Sequence, residues 1–241
     1  MGILVAAMAM FGACKKENNH DCFIGTGKEI IEQRSLPPFS KIIIDRTVTV
    51  YLVQDTVNYA LVTAGENLIE KVKTYLDANG DLVIINDNRC NWVRSFKNAF
   101  NVELHFTKLN SVFSTANGDL ICSNTLMADT FLLECYNGTE KFDLKLEANY
   151  SFLKLHTGSS DLVVSGKVKE SYIYSAGLGW VDAAALQTIN SQVDLRSQND
   201  CSVWVDQKLV AETRWKGNVY YTGNPAVLEV KNFHTGQVIK K

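Results

Sequence analysis

The sequence predicts an all-β fold: ordinary β-strands first, then a β-solenoid of about 20 residues per coil. Three observations carry this expectation. Apolar and polar side chains alternate with period two through residues 41–106. A turn-plus-hydrophobic signature recurs from residue 117 to the end of the chain. Helical texture is confined to two short stretches, "ENLIEKV" and "AAAL".

The first elements follow from the alternation. In "IIIDRTVTVYLVQ", Val48, Val50 and Leu52 share one face, and Thr47, Thr49 and Tyr51 share the other. "YALVTAG" reads as a second strand. "KVKTYLDANGDLVIIN" reads as two strands joined at Asn79-Gly80, the strongest short hairpin signal. "NVELHF" (101–106) is a further strand after a polar, aromatic excursion at 86–98.

The repeat begins beyond Leu109. Turn-forming residues lead into a hydrophobic position in "NGDL", "NGTEKF", "GSSDL", "GLGWV", "NDCSV", "KGNV" and "TGQV". The closing hydrophobics are Leu120, Phe142, Leu162, Val181, Val203, Val219 and Val238, spaced by 22, 20, 19, 22, 16 and 19 residues. β-rich stretches such as "TFLLECY" and "ESYIYSA" separate the copies. Stacked coils of that length would fill one continuous core, with Gly or Asn supplying the positive φ of sharp corners. The N-terminal strands and the last segment, "LEVKNFHTGQVIKK", are then expected to cap the stack.

The N-terminus reads as an address. "GILVAAMAMFGAC" is a short apolar segment ending in small residues and a cysteine, followed by the polar "KKENNHD". That pattern predicts a signal peptide (1–13), lipidation at Cys14 and a tether over 14–29. A β-strand region (30–108) and the repeat region (109–241) follow, together one continuous domain over 30–241. The expected location is the cell envelope, as an outer-membrane lipoprotein facing the periplasm or the outside. Export makes pairing of Cys22 with Cys90 plausible, both lying in polar contexts. Cys122, Cys135 and Cys201 lie in strand-like runs and read as small buried hydrophobes.

Composition excludes several classes. The 241 residues carry a formal net charge of −2, which offers nucleic acid no basic face. No apolar run reaches the roughly 18 residues of a transmembrane helix, so the membrane is touched only through the lipid anchor. No cofactor fingerprint occurs. Gly177-Leu178-Gly179 resembles a phosphate loop but is followed by strand-like sequence instead of a helix. The histidines at 20, 105, 156 and 234 are scattered, and no nucleophile elbow occurs.

Two sets of residues remain as site candidates. Asp119, Asp143, Asp161, Asp182 and Asp200 recur near one phase of the repeat. Stacked carboxylates could take up calcium, Asp161 and Asp182 being the weak candidates, or could act as in β-helix polysaccharide lyases and glycosidases. As ordinary turn residues they would instead cap backbone N–H groups. Tyr172, Tyr174, Trp180 and Trp215 belong to an aromatic-rich C-terminal stretch with Trp204, Tyr220 and Tyr221. Exposed, such rings would stack on sugars or anchor a protein; buried, they would plug the solenoid end.

Several segments together resemble a known family. They are Arg34-Ser35-Leu36-Pro37-Pro38-Phe39-Ser40-Lys41-Ile42, the Asn79-Gly80 hairpin, the small-residue corners and Tyr221-Thr222-Gly223-Asn224-Pro225. In order and spacing they resemble the DUF2807 or GIN domain, the head domain of auto-transporter adhesins found in Bacteroidetes lipoproteins. The corners "QNDC" and "RWKG" depart from its small-residue pattern. The resemblance implies a right-handed β-helix-like fold and a role in adhesion, and brings no catalytic residues. The expected function is therefore non-catalytic binding of a glycan, or of an envelope or host surface protein, through a solenoid face. A carbohydrate-active β-helix enzyme using the corner acids is the alternative, and a structural or envelope-sensing protein the second.

Overall fold

The computed structural model describes residues 25–89 and 100–241. Cys14, the signal segment and the Cys22–Cys90 pair lie outside the described residues. Within them the chain is all-β, a solenoid of about six turns of about 20 residues preceded by a curled mixed sheet. A single 3-10 turn, Ile69–Lys71, is the helical element among the described residues, and it falls inside "ENLIEKV".

The N-terminal strands are β1 (Glu29–Ser35), β2 (Lys41–Asp45), β3 (Thr49–Gln54), β4 (Tyr59–Gly65), β5 (Val72–Leu76), β6 (Leu82–Asn86) and β7 (Asn101–Phe106). Val48, Val50 and Leu52 are buried, and Gly80 takes φ +81° at the β5–β6 hairpin. β8 (Ser111–Ser114) and β9 (Leu120–Cys122) follow.

These strands coil too, but out of sequence order. β2 pairs in parallel with both β6 and β8, and β3 with both β7 and β9. The β2–β3 layer is thus sandwiched between a layer that follows it directly and one that comes later. The antiparallel strands β5, β4 and β1 close this end: β5 on β6, β4 on β7, and β1 on β4.

The solenoid proper continues through β10 (Leu126–Cys135), β11 (Lys141–Leu155), β12 (Asp161–Ser175), β13 (Val181–Leu195) and β14 (Cys201–Thr213). It ends with β15 (Val219–Thr222), β16 (Val227–Asn232) and β17 (Val238–Lys240). Each long strand bends and so serves two faces. In β11 the buried positions are Phe142, Leu144 and Leu146, then Ser151, Leu153 and Leu155. The change of parity lies at 148–150, where pairing with β12 passes over Asn149. A one-residue shift keeps both halves of the strand facing the core around a bend.

The core is a set of ladders. Leu120, Phe142, Leu162, Val181, Cys201 and Val219 stand in register, and all are at most 2% exposed. Cys201, rather than Val203, is the equivalent residue, so the repeat is more even than its sequence spacing suggests. Val203 pairs with Ala183, one step further along the same face. Burial pushes the Cys201 thiol up to about 12, Cys135 to about 12 and Cys122 to about 11. All three are packing groups with thiols protonated at neutral pH.

Corner glycines are chosen mainly for close approach. Asn137 (φ +58°) and Gly158 (φ +93°) do take the left-handed conformation. Gly179 does not, yet a Cβ there would overlap the Ser160 carbonyl oxygen and lie 3.1 Å from Asp161 N. At Gly177 the nearest atom to such a Cβ would be Gly158 O, at 2.8 Å. The Gly-Leu-Gly stretch lets one corner nest on the next. The segment from Leu228 onward forms the last coil itself instead of a separate cap.

Candidate binding surface

Two adjoining depressions follow the bend of the long strands. The larger is a groove of about 870 Å³ running across five coils. One register column, Met127–Glu147–Lys167–Gln187–Trp204, forms its wall. The next column, Ala128–Ala148–Val168–Thr188, forms its floor, and small side chains there make it concave. Asp129, Asn149, Lys169, Ile189 and Asp206 complete the lining. Asn149 donates to Asp129 Oδ1 (2.6 Å), and Thr188 Oγ1 donates to the Trp204 carbonyl (2.7 Å).

The second depression, about 530 Å³, begins immediately past the bend. Tyr150, Phe152 and Tyr172 are its apolar part, with Phe152 and Tyr172 in register and their ring centroids 6.4 Å apart. Glu170, Asn190, Gln192 and Lys208 supply polar groups, and Asn190 donates to Glu170 Oε1 at 2.7 Å. Ser151 Oγ donates a 3.0 Å hydrogen bond to Ser171 Oγ on its floor. Ser191, next in that column, has a buried hydroxyl without a hydrogen-bond partner among the described residues. Burial, with Asp194 adding to it, raises the Tyr172 phenol, which keeps it an O–H donor at neutral pH.

Further along the same face, aromatic rings and ion pairs alternate. Tyr136 and His156 stack at 4.0 Å, and the His156 ring lies 5.1 Å from Tyr174. The Arg196 guanidinium sits 5.2 Å over Tyr174 and is held by Asp194 (2.8 Å), which also accepts from Arg214 Nε (3.0 Å). Glu212 bridges Arg214 and Lys231. These arginines are committed to internal carboxylates.

Tyr172 and Tyr174 both point outward and are half-buried, with Ile173 between them in the core. Trp180 (40% exposed) and Trp215 (47% exposed) sit on corner loops that line neither depression. Trp215 stacks on His234 at 4.8 Å. The structure therefore places Tyr172 in the second depression, leaves Tyr174 beside it against His156 and Arg196, and keeps the two tryptophans apart from both depressions.

The corner acids are dispersed. Asp119, Asp161 and Asp200 share a column, but Lys141 and Trp180 separate them. Each accepts a backbone N–H from the following coil: Lys141 (3.0 Å), Trp180 (3.0 Å) and Asn218 (2.8 Å). Asp182 lies beside Val163 and accepts from Ala184 N at 3.1 Å. Their turn role uses one lone pair each to seal a corner. Among the described residues, no three His, Cys, Asp or Glu side chains are grouped to hold a metal ion. His105 is engaged structurally, with ring nitrogens 2.8 Å from Asp55 and 2.9 Å from Glu103 and Tyr59 stacked on it.

Residues 38–225 match the family model described as "Putative auto-transporter adhesin, head GIN domain" (DUF2807). The chain belongs to this family. Its model spans both depressions and every coil except the last strands. No curated protein matches the sequence. Among solved structures, a "putative adhesin" from Bacteroides fragilis superposes with a TM-score of 0.82 at 19% identity, covering 89% of this chain and 97% of that one. Another from Parabacteroides distasonis gives 0.67 at 20% identity, covering 90% and 98%. A "putative lipid binding protein" from the same species gives 0.65 at 17% identity, with the same coverage. These likenesses show the fold of this chain.

Tyr150, Phe152, Met127 and Ile189 escaped sequence reasoning, which aligned the corners and not the strands, whereas Trp204 belongs to the aromatic stretch that the sequence offers. Setting "YSFLKL" over "ESYIYS", 20 residues on, the register the strands adopt, puts Phe152 on Tyr172.

Proposed function

We propose that this chain is a lipid-anchored, non-catalytic adhesion module whose ligand is a carbohydrate chain laid along the solenoid axis. One observation carries the reading. Exposed Tyr150 and Phe152, with half-buried Tyr172, stand among amide and hydroxyl groups beside a groove that crosses five coils. Sugars present apolar ring faces and a rim of hydroxyls, so aromatic rings flanked by amides match them. Coils repeat at about 4.8 Å, so an extended chain meets equivalent positions at regular steps. Membership of an adhesin family supports binding as the role. The separation of the corner acids, with Asp119, Asp161, Asp182 and Asp200 each occupied with a backbone N–H, favours binding over acid-base catalysis. Lipidation at Cys14 would hold the module at the outer membrane, and the polar segment after it would act as a tether.

The test is an array of polysaccharides and extracellular-matrix proteins probed with the full chain. Saturable binding to a glycan class supports the reading. Binding restricted to proteins, or turnover of any glycan, overturns it. Acyl labelling in a bacterial host that is abolished by Cys14→Ser tests the anchor.

A further inference from the structure

No strand among the described residues lies over the last coil of the solenoid. Among the described residues, β16 pairs only with β14, and β17 only with β15. Leu228 and Val230 stand in register on Leu209 and Ala211, which are fully buried, yet are themselves 45% and 41% exposed. The core ladder runs straight into solvent. A parallel edge strand with an apolar interior row is a template for further pairing.

The edge has a definite polarity. Phe233 N donates to Thr213 O, so the odd-numbered residues of β16 turn their backbone groups toward β14. Leu228, Val230 and Asn232 turn theirs outward, since backbone direction alternates along a strand. Outward side chains are Val227, Glu229, Lys231 and Phe233. Glu229 is paired with Lys208 (2.8 Å) and Lys231 with Glu212 (3.0 Å).

We propose that this edge joins a second copy of the chain, end to end, by antiparallel pairing of β16 with itself about Val230. A two-fold axis at Val230 puts Val230 opposite Val230 and Leu228 opposite Asn232 twice. All three residues with outward backbone groups then exchange both hydrogen bonds, as a hydrogen-bonded antiparallel pair does. The same register sets Glu229 opposite the second copy's Lys231, twice, and Val227 opposite Phe233. Sliding by two residues in either direction places Glu229 on Glu229 or Lys231 on Lys231, and like charges directly opposite are destabilising. Charge therefore selects one register, and it is closed and isologous. The two interiors merge into one core, with Leu228 and Val230 covered from both sides.

The test is sedimentation equilibrium of the full chain from low to high micromolar concentration. The expected mass is twice that of the chain. Val230→Pro removes an outward N–H and leaves every bond to β14 in place, because edge strands tolerate proline where no ladder bond is needed. It should raise the dimer dissociation constant roughly tenfold or more, two hydrogen bonds being lost per dimer. Leu228→Lys, which buries a charge in the joined core, should give monomers while circular dichroism keeps the strand signal. A monomeric wild type overturns the proposal, and so does a Val230→Pro protein that dimerises as tightly as wild type. Open-ended growth would also overturn it, since that requires a head-to-tail contact.

Discussion

Replacing Gly179 by alanine adds one methyl group at a corner with no room for it. Gly179 has an ordinary φ, so the cost is steric and not conformational. The new Cβ would run into the Ser160 carbonyl, and that carbonyl belongs to backbone held by its own coil. The corner can respond only by lifting away from the one beneath. Lifting weakens Leu162 N to Trp180 O (3.0 Å) and Trp180 N to Asp161 Oδ1 (3.0 Å). Overpacking costs about 1–3 kcal/mol, and two weakened hydrogen bonds add about 1 kcal/mol each. The sum, about 3–5 kcal/mol, lowers the melting temperature by roughly 6–20 °C for a domain of this size. Gly80→Ala is the comparison. It has φ +81° but open space around it, so about 1 kcal/mol is expected. Thermal melts followed by circular dichroism, with denaturant titration for the free energies, measure both. Gly179→Ala no more damaging than Gly80→Ala would refute close approach as the reason for corner glycines.

Three further outcomes follow from the core. Glu140 is buried, with Oε1 accepting from Ser114 Oγ (2.6 Å) and Oε2 lacking a hydrogen-bond partner among the described residues. Burial holds its pKa above the usual carboxylate range, against the Ser114 hydrogen bond. The folded state then keeps a proton that the unfolded chain loses near pH 4.3, so this contribution is full below that pH and falls as pH rises toward the folded pKa. Glu140→Gln should stabilise the protein by about 1–2 kcal/mol at pH 7 and remove this loss of stability with rising pH, and an unchanged curve contradicts this. Phe142→Ala, in the centre of the ladder, should cost about 3–5 kcal/mol by denaturant titration. Cys122, Cys135 and Cys201 should resist alkylation in the native protein and label only on unfolding, as read by peptide mass mapping. Labelling of Cys201 under native conditions would show that the stack opens there.

Local rules made much of this fold readable. Asn79-Gly80 fixed a hairpin through turn chemistry, and Val48, Val50 and Leu52 declared a buried face through period two. Coil length followed from recurring corners. The insertion of β2 and β3 between β6–β7 and β8–β9 left no such mark, because which strands become neighbours depends on contacts between distant residues. Cys201 is legible as a small buried hydrophobe, but "NDCSV" offers two inward positions after its turn, Cys201 and Val203, and only the register with Val181 shows that the cysteine is the ladder residue. Tyr172 and Tyr174 were legible as outward rings from Ile173 between them. The groove was not, since its floor is a column of small residues assembled from four strands at a bend, and no single segment carries its signature.

Binding by the depression past the bend is most directly tested with paired variants on whichever array glycan binds best. Phe152→Ala and Tyr172→Ala together should weaken affinity roughly tenfold or more, each ring contributing about 1 kcal/mol of stacking, with the melting temperature little changed. Trp180→Ala with Trp215→Ala should leave affinity within about twofold. The opposite pattern, tryptophans essential and the Phe152–Tyr172 pair dispensable, would contradict the assignment and move the binding site to the corner loops.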